Sequence, residues 1–597
     1  VDPVIIVGAG PVGLALALAL AAQEVPCVVL DEGAGEDEYR PARTAVLRAD
    51  TAGFVERLGC GAALHEEGVR WNAWRAVRRR QLVHRHTFAD APEGVAGTGE
   101  ARGHGHGLPG ERDAAGRGSA GLGGLGRGAG RGPGEVTGPG PDANAAEEGV
   151  EGVPAPLHVP QHALTGALRA ALAAPPAARL VRLVTESRVD ALEQDAGGVS
   201  VHTRGRHETW WRGGYVVGCD GARSTVRKLL GIRFPGRTAV ERHAVAMLRT
   251  ELPWPGEAVL HRRPPWRSGG DEVSARPLPD GGWRLDWLLP PRGELVTPEA
   301  LVSRIRETLA GWCGDTPAYE LVDTGVYAVH HRLARSWRVD RAFLAGDAAH
   351  LLGALGTQGL DEGLRDAENL AWKLAGAWHG GDSPQVLLDS YEAERRTAVA
   401  ARLRAADQAL PALRSGGGLR TYLRGGARGL DALLADAHLG RGPLGAPPAY
   451  PLSPLTPMDP ESAVEVGTEP GAPVADVPVT APDGTAGRLR DRLGRSALVV
   501  LVAPGTGVWD RRHWVTAGVM PRLAETVRAL PVAAELLVTE AYPGAAAHTV
   551  LLVRPDGHLA AAFAGVHPDA LRTAARTLRG GAPDRQGSET PEEASVP

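Results

Sequence analysis

With 597 residues and a net charge of −5, the chain is too long for a single hydrophobic core and lacks the basic surplus of a nucleic-acid binder, so two or three domains are expected. Its four cysteines, Cys27, Cys60, Cys219 and Cys313, show neither C-x-x-C nor metal-ligand spacing and read as reduced thiols that fill space. The abundance of Ala, Gly, Arg and Pro follows GC-rich coding more than fold.

The chain opens on an apolar run, Val4 to Val7, suited to a strand buried on both faces. Gly8, Gly10 and Gly13 then spell G-x-G-x-x-G at the mouth of an Ala- and Leu-rich helix that begins with Pro11 and Val12. Gly8 permits a tight turn, Gly10 lets a pyrophosphate approach the backbone, and Gly13 lets helix and strand pack, while the helix N-terminus offers free N–H groups. A second strand, Cys27 to Leu30, ends at Asp31 and Glu32, where an acid can accept hydrogen bonds from a ribose diol. The order of strand, turn, helix, strand and acid predicts a dinucleotide-binding unit. No basic leader precedes it, and the apolar run from Leu14 to Ala22 is too short to cross a bilayer, so a cytoplasmic protein with no membrane partner is expected.

Arg43 follows a polar loop and is either a surface charge or a contact to the cofactor phosphates. Ala52, Phe54, Val55 and Leu58 fit a helix ended by Gly59, and Trp71 to Phe88 fits one or two strands. From Gly94 to Gly149 there are 20 glycines in 56 residues and almost no large aliphatics, so no core can form there. That segment reads as a disordered insertion or as the product of a shifted reading frame. Order returns with a helix carrying Leu164, Leu168 and Leu172 on one face, with Gln161 at its start as a terminus residue or a ligand contact. Strand-like runs follow at Arg179 to Val184, Arg188 to Leu192 and Gly198 to Thr203.

Two further stretches carry chemistry. In YVVGCDGARSTVRKLLGI, from Tyr215 to Ile232, a buried strand ends at Asp220-Gly221, with Ser224 and Arg227 at the start of a short helix. That combination suits sugar, phosphate and amide contacts. Ala239 to Val329 alternates, as in Trp283, Leu285, Trp287 and Leu289, and predicts a mostly antiparallel sheet, interrupted by a helix over Pro298 to Trp312, one face of which can floor a substrate pocket. The tryptophans there read as core or edge packing. From Arg341, a strand ends at Gly346-Asp347, a glycine-containing loop follows, and a long helix starts near Asp361 with its N-terminus aimed into whatever the loop encloses. Asp347 is a turn cap or a contact to cofactor hydroxyls.

Together GAGPVG, CDGARSTVR and LAGDAAH…GTQGLDEGLRDAENLAWKLA resemble the class A FAD-dependent aromatic monooxygenases of the para-hydroxybenzoate hydroxylase type, over the chain to about Arg396. The resemblance implies an α/β Rossmann-type FAD-binding domain with an interleaved, mostly antiparallel substrate-domain sheet. Cofactor contacts are implied at Gly8, Gly10, Pro11, Val12, Gly13, Asp31, Glu32, Arg43, Gln161, Asp220, Gly221, Gly346, Asp347, Gly356, Gln358, Gly359 and Leu360. FAD would stay bound while NADPH or NADH acts as a transient reductant. A C4a-hydroperoxyflavin would hydroxylate a small aromatic, polyketide-derived substrate with O2, as in antibiotic biosynthesis. Other outcomes on the same cofactor (Baeyer–Villiger insertion, epoxidation, dehydrogenation) and a non-catalytic binding module stay open. No catalytic residue is assigned: Tyr327, His330 and His331 precede the third motif, but core packing or solvent exposure explains them as well. Gly353-Ala354 stands where the family usually has prolines, and Asp361 where it usually has asparagine; a carboxylate beside a reduced flavin would be repelled, so Asp361 is expected to point away as a helix N-cap.

The C-terminal strands, Ala497 to Val502, Glu535 to Val538 and Thr549 to Arg554, with a hairpin at Pro555-Asp556-Gly557, resemble the thioredoxin-like domain of phenol and polyketide hydroxylases. No cysteine follows Cys313, so thiol chemistry is excluded there, leaving a structural or subunit-contact role, for example in a homodimer. The expected division is FAD-binding segments at 1–70, 151–237 and 331–440, substrate-domain strands at 71–93 and 238–330, the insertion at 94–150, a linker at 441–465, the thioredoxin-like unit at 466–580 and a disordered tail at 581–597.

Overall fold

The computed structural model describes residues 2–35, 39–89, 152–266, 272–289, 296–353, 359–380, 384–414, 426–457, 462–503 and 518–581. Residues 94–150 and the tail beyond 581, read above as an insertion and a disordered end, lie outside the described residues. In chain order, β1 (Val4–Val7) leads into α1 (Pro11–Ala21) and β2 (Cys27–Leu30), and β3 (Val181–Val184) and β4 (Tyr215–Gly218) follow. A run of strands comes next: β5 (Gly236–Thr250), β6 (Glu257–Arg262), β7 (Glu272–Pro277), β8 (Gly282–Leu289) and β9 (Tyr319–Leu333). Then β10 (Ala342–Leu344) precedes the long α2 (Gly359–Trp378).

β1 is the centre of a parallel sheet ordered β10-β4-β1-β2-β3. Its four consecutive apolar residues are all buried because helices cover both faces of such a sheet. α1 is apolar all round for the same reason, since it packs against α2 and the helix Gln161–Ala173. One expected strand is shorter than its pattern suggested. Arg179 and Leu180 belong to a helical turn, Ala177–Leu180, begun by the helix-favouring Ala177 and Ala178, and β3 starts only at Val181.

The second sheet runs β9-β5-β8-β7-β6 and continues into Ala73–Arg78 and Gln81–Thr87; its pairs are antiparallel except β6 with Ala73–Arg78. One face is an apolar core, in which Trp283, Leu285, Trp287 and Leu289 of β8 meet Leu301, Ile305 and Leu309 of the helix Pro298–Cys313. Trp287 donates its ring N–H to Thr308 Oγ1 at 3.0 Å, so these tryptophans are core residues. The opposite face of β8 carries Arg284 and Asp286, each only 7% exposed, a burial of charge that open solvent cannot explain.

The C-terminal unit has β11 (Pro478–Thr480), β12 (Ala497–Val502), β13 (Ala534–Thr539), β14 (Val550–Val553) and β15 (Leu559–Phe563) in the order β11-β13-β12-β14-β15, a thioredoxin-like mixed sheet. It docks through the turn after β14. Arg554 is 1% exposed as a side chain and makes two 2.8 Å bonds to the Glu394 carboxylate, while Asp556 accepts from Arg554 and from Asn369 of α2. Lys373 of α2 also reaches Glu394, at 2.6 Å. Burial lowers the Lys373 pKa to about 8 against the pull of Glu394, and Arg554 and Lys373 hold the Glu394 carboxyl well below its ordinary range despite burial. Among the described residues no helix is long and apolar enough to cross a membrane.

Removing one member of such a buried pair strands its partner's charge. Arg554→Ala should therefore cost about 3–5 kcal/mol, read from the first transition of a urea unfolding curve. A loss below about 1 kcal/mol, the value of an exposed pair, would contradict this docking.

Candidate functional site

The three motifs touch one another. Gly8 sits at φ +107°, and a Cβ there would lie 2.5 Å from the Cys219 carbonyl oxygen, so the first glycine loop and the end of β4 fit only without a side chain. A Cβ on Gly13 would fall 2.1 Å from the Gly8 carbonyl oxygen. Val12 fills the space over Gly346 and Gly363, where Cβ atoms would come within 3.1 and 2.6 Å of its Cγ2. Arg227 ties the second motif to the third by donating to the Ala348 carbonyl at 2.8 Å. The buried Asp366 of α2 accepts from Gly346 N and His350 Nε2 and pairs with Arg395, which fixes the loop that carries Asp347.

Around this contact the acids are set by backbone donors. Asp31 Oδ2 accepts from Ala9 N at 2.7 Å and Oδ1 from Gly33 N at 2.8 Å, so its carboxylate is aimed along the glycine loop with lone pairs to spare. Asp220 Oδ2 accepts from Thr225 N and Val226 N, whereas its Oδ1 is buried with no partner among the described residues. Among the described residues, a Cβ at Gly10 or at Gly221 would meet no atom beyond its chain neighbours within 4 Å, so both sit beside open space. Pro11 is the first residue of α1, whose N-terminus faces that loop without a side-chain cap. Asp347 is exposed to a cavity.

The cavity, of about 700 Å³, brings Arg43, Gln161, Asp347, Gly353 and Gly359 onto the same wall system as β5, β7, β8 and β9. Gln161 N also donates to the Arg43 carbonyl at 2.8 Å. Leu360 packs half-buried against the core of the parallel sheet. Glu32 stands apart, exposed and 3.8 Å from Arg188. Gly356 and Gln358 lie outside the described residues. The Asp361 expectation needs correction: it is inside α2, not capping it, because its 2%-exposed carboxylate is held by Arg48 N, the Arg48 guanidinium and Thr51 Oγ1. Those bonds do direct it toward the helix Ala49–Val55.

Across from the motifs, the sheet presents charge. His243 of β5 lies 2.6 Å from Asp286 and 3.3 Å from Glu241, and Tyr327 of β9 stacks on its ring at 5.0 Å and 8°. Burial opposes the imidazolium, but Asp286 and Glu241 outweigh it and raise its pKa to about 10. Tyr327, 39% exposed, donates its Oη hydrogen to Asp286 Oδ2 at 2.9 Å. Arg284 is neutralised by Asp286 at 3.1 Å and donates to Thr44 Oγ1 at 2.7 Å. Sequence reasoning set Tyr327 aside and missed His243, Arg284 and Asp286; the available signal was a polar series at every second position of strands whose other face is apolar.

The unpartnered Asp220 oxygen, the open space at Gly10 and Gly221 and the uncapped α1 N-terminus suit a diphosphate-linked dinucleotide, and the cavity at Asp347 can take its ring end. Comparison with known proteins agrees. A family model described as an FAD binding domain matches residues 2–406. Rifampicin monooxygenase of Streptomyces venezuelae is 38% identical over 214 residues, 34% of this chain and 42% of that protein. The 12-dehydrotetracycline 5-monooxygenase/anhydrotetracycline 6-monooxygenase of Streptomyces rimosus is 40% identical over 233 residues, 36% and 44% of the two chains. The matched stretch thus spans less than half the length of these relatives. The solved structure of the flavin-dependent monooxygenase PieE in complex with FAD and substrate superposes with a TM-score of 0.65 at 20% identity, covering 97% of this chain and 98% of that one, a likeness of fold.

The His243 ion pair sets a pH window. Its pKa is raised from 6.5 to about 10 on folding, so its stabilisation is complete below about pH 6.5 and is lost as pH rises toward 10. The stability advantage of the wild type over His243→Gln, from urea unfolding at a series of pH values, should fall across that window. An advantage that does not change with pH would show the ring to be neutral.

Proposed function

The chain belongs to the FAD-binding-domain family matched over residues 2–406, and from that premise we propose that it is an FAD-dependent monooxygenase that consumes NADPH or NADH and hydroxylates an aromatic, polyketide-derived substrate. The observation that carries this reading is the single cavity in which the motif residues Arg43, Gln161, Asp347 and Gly359 face the substrate-sheet residues His243, Asp286 and Tyr327. A volume of about 700 Å³ accommodates a ring end of the cofactor together with a polycyclic phenol.

Each part of the chain has a role in this reading. The loop from Gly8 to Gly13 and the α1 N-terminus would hold the diphosphate, Asp31 the ribose, and Asp220 and Asp347 further hydroxyl and amide groups, while the α2 N-terminus near Gly359 would place its positive dipole end toward the ring. FAD, when bound, would supply the redox and oxygen-transfer chemistry itself. The protein's task is positioning and exclusion of water. Leu351 and Leu352 wall the cavity on the motif side and Val245 and Leu288 on the sheet side, apolar surface against which an aromatic ring can pack. Tyr327 holds its proton on Oη against Asp286, so it orients a substrate oxygen as a neutral hydroxyl and does not act as a base.

The test uses purified holoprotein, a panel of polycyclic phenols and isotopically labelled dioxygen. Substrate-stimulated NAD(P)H oxidation with one labelled oxygen atom in the product is expected. Oxidation of the substrate without label would mean dehydrogenation, and no substrate-dependent NAD(P)H oxidation across the panel would overturn the reading in favour of a binding module.

A further inference from the structure

The helix Gly426–His438 forms part of the cavity wall, to which it contributes Leu434 and His438. Leu434, together with Leu260 of β6, also lines a second cavity of about 270 Å³. A helix bordered by open space is not fixed there by packing alone. Its last carbonyls have no donor within the helix, and the Arg48 guanidinium supplies one by donating to the carbonyl oxygens of both Ala437 and His438. The Arg48 stem lies along the turn that follows, where Gly440 has φ +73° and a Cβ would come 3.6 Å from Arg48 Cδ. The same guanidinium stands 3.7 Å from Asp361 Oδ2 in the first turn of α2, and that carboxylate is held in turn by Arg48 N at 3.2 Å and Thr51 Oγ1 at 2.5 Å. Arg48 and Asp361 are 7% and 2% exposed, so both charges are buried and each needs the other. Signs alternate along this line: the positive end of α2, the carboxylate, the guanidinium, and the negative end of the helix Gly426–His438. One side chain therefore joins the helix whose N-terminus reaches the cavity to the helix that walls it.

We propose that Arg48 is a positioning residue for the reaction: clasped by Asp361, it sets the helix Gly426–His438 against the α2 N-terminus and so fixes where Leu434 and His438 stand against a bound substrate. The assignment rests on the reading of that cavity as the substrate pocket. Asp361 acts through Arg48, and neither residue lines the cavity.

The experiment compares the FAD-loaded wild type with Arg48→Met, Arg48→Lys and the double variant Arg48→Met/Asp361→Asn. Affinity for a hydroxyanthraquinone is read by calorimetry, and local opening by amide hydrogen exchange. Arg48→Met should weaken the probe about tenfold and lower the protection of the amides from Leu434 to Leu439, while β1 and β4 stay as protected as before. Arg48→Lys, which keeps the cation and loses the fork, should fall between Arg48→Met and the wild type. Arg48→Met also strands the Asp361 charge and lowers the melting point. The double variant removes that charge and should regain melting point without regaining probe affinity or protection, because the helix end still lacks its donor. Probe affinity that recovers together with the melting point would show that Arg48 acts through stability alone and overturns the assignment. Unchanged protection from Leu434 to Leu439 in Arg48→Met overturns it whether or not the probe binds. Exchange needs no turnover, so the clasp and the oxygenase reading fail separately. Protection lost at that helix end, in a protein that yields no labelled product, keeps the clasp and removes the activity; labelled product with unchanged protection in Arg48→Met does the reverse.

Discussion

The structure turns on the close approach of Gly8 to the Cys219 carbonyl, where two parallel strands end side by side with no room for a Cβ. A turn at φ +107° redirects the chain into α1, whose Gly13 then packs back on Gly8 and whose Val12 seats on Gly346 and Gly363. Because interiors are close-packed, each of these contacts fixes the next, and segments more than three hundred residues apart become one rigid frame. The open spaces beside Gly10 and Gly221 are what that frame leaves for a ligand.

A second constraint is electrostatic. The chain buries many charges, and it does so in compensated groups: Glu362 with Arg365, Arg395 and Arg402 beneath the third motif, Glu394 with Arg554 and Lys373 at the C-terminal dock, and Asp286 with His243 and Arg284 in the cavity wall. Compensated pairs of this kind add little net stability over an apolar packing, but breaking one is expensive, so they act as locks on geometry. Two of the three involve α2, or the helical segment packed on it, which links the C-terminal domain to the helix whose N-terminus reaches the cavity. The C-terminal unit is thus bonded to that helix through Asp556 and to the segment packed on it through Arg554.

Much of this was legible in the residues, and the exceptions have a common cause. The glycine motifs, β1 and β2, the helices at 161 and 298 and the C-terminal strands follow from local pattern, because apolar runs and glycines at required turns report their own surroundings. The paired roles of Arg284 and Asp286 did not, since β8 was read through Trp283, Leu285, Trp287 and Leu289, and charges on the alternate face of a strand ordinarily meet solvent. Only the second wall of the cavity, built from Thr44 and from distant loops, buries them. Asp361 was placed correctly near a helix start but its partners, Arg48 and Thr51, lie more than three hundred residues away. A separation of 160 residues likewise hid Arg554 and Glu394, which look like ordinary surface charges until the two domains meet.

The most direct measurement of the central claim is FAD binding to the apoprotein by fluorescence quenching, for the wild type, Gly8→Val and Gly59→Ala. Gly59 also has a positive φ, +91°, but a Cβ there meets nothing within 4 Å, so it controls for backbone strain away from the site. The wild type should saturate at one FAD per chain, Gly59→Ala should bind similarly, and Gly8→Val, whose side chain would displace the Cys219 strand end, should lose about tenfold to a hundredfold. FAD affinity unchanged in Gly8→Val would contradict the central claim, because the strand ends would then not be what shapes the site.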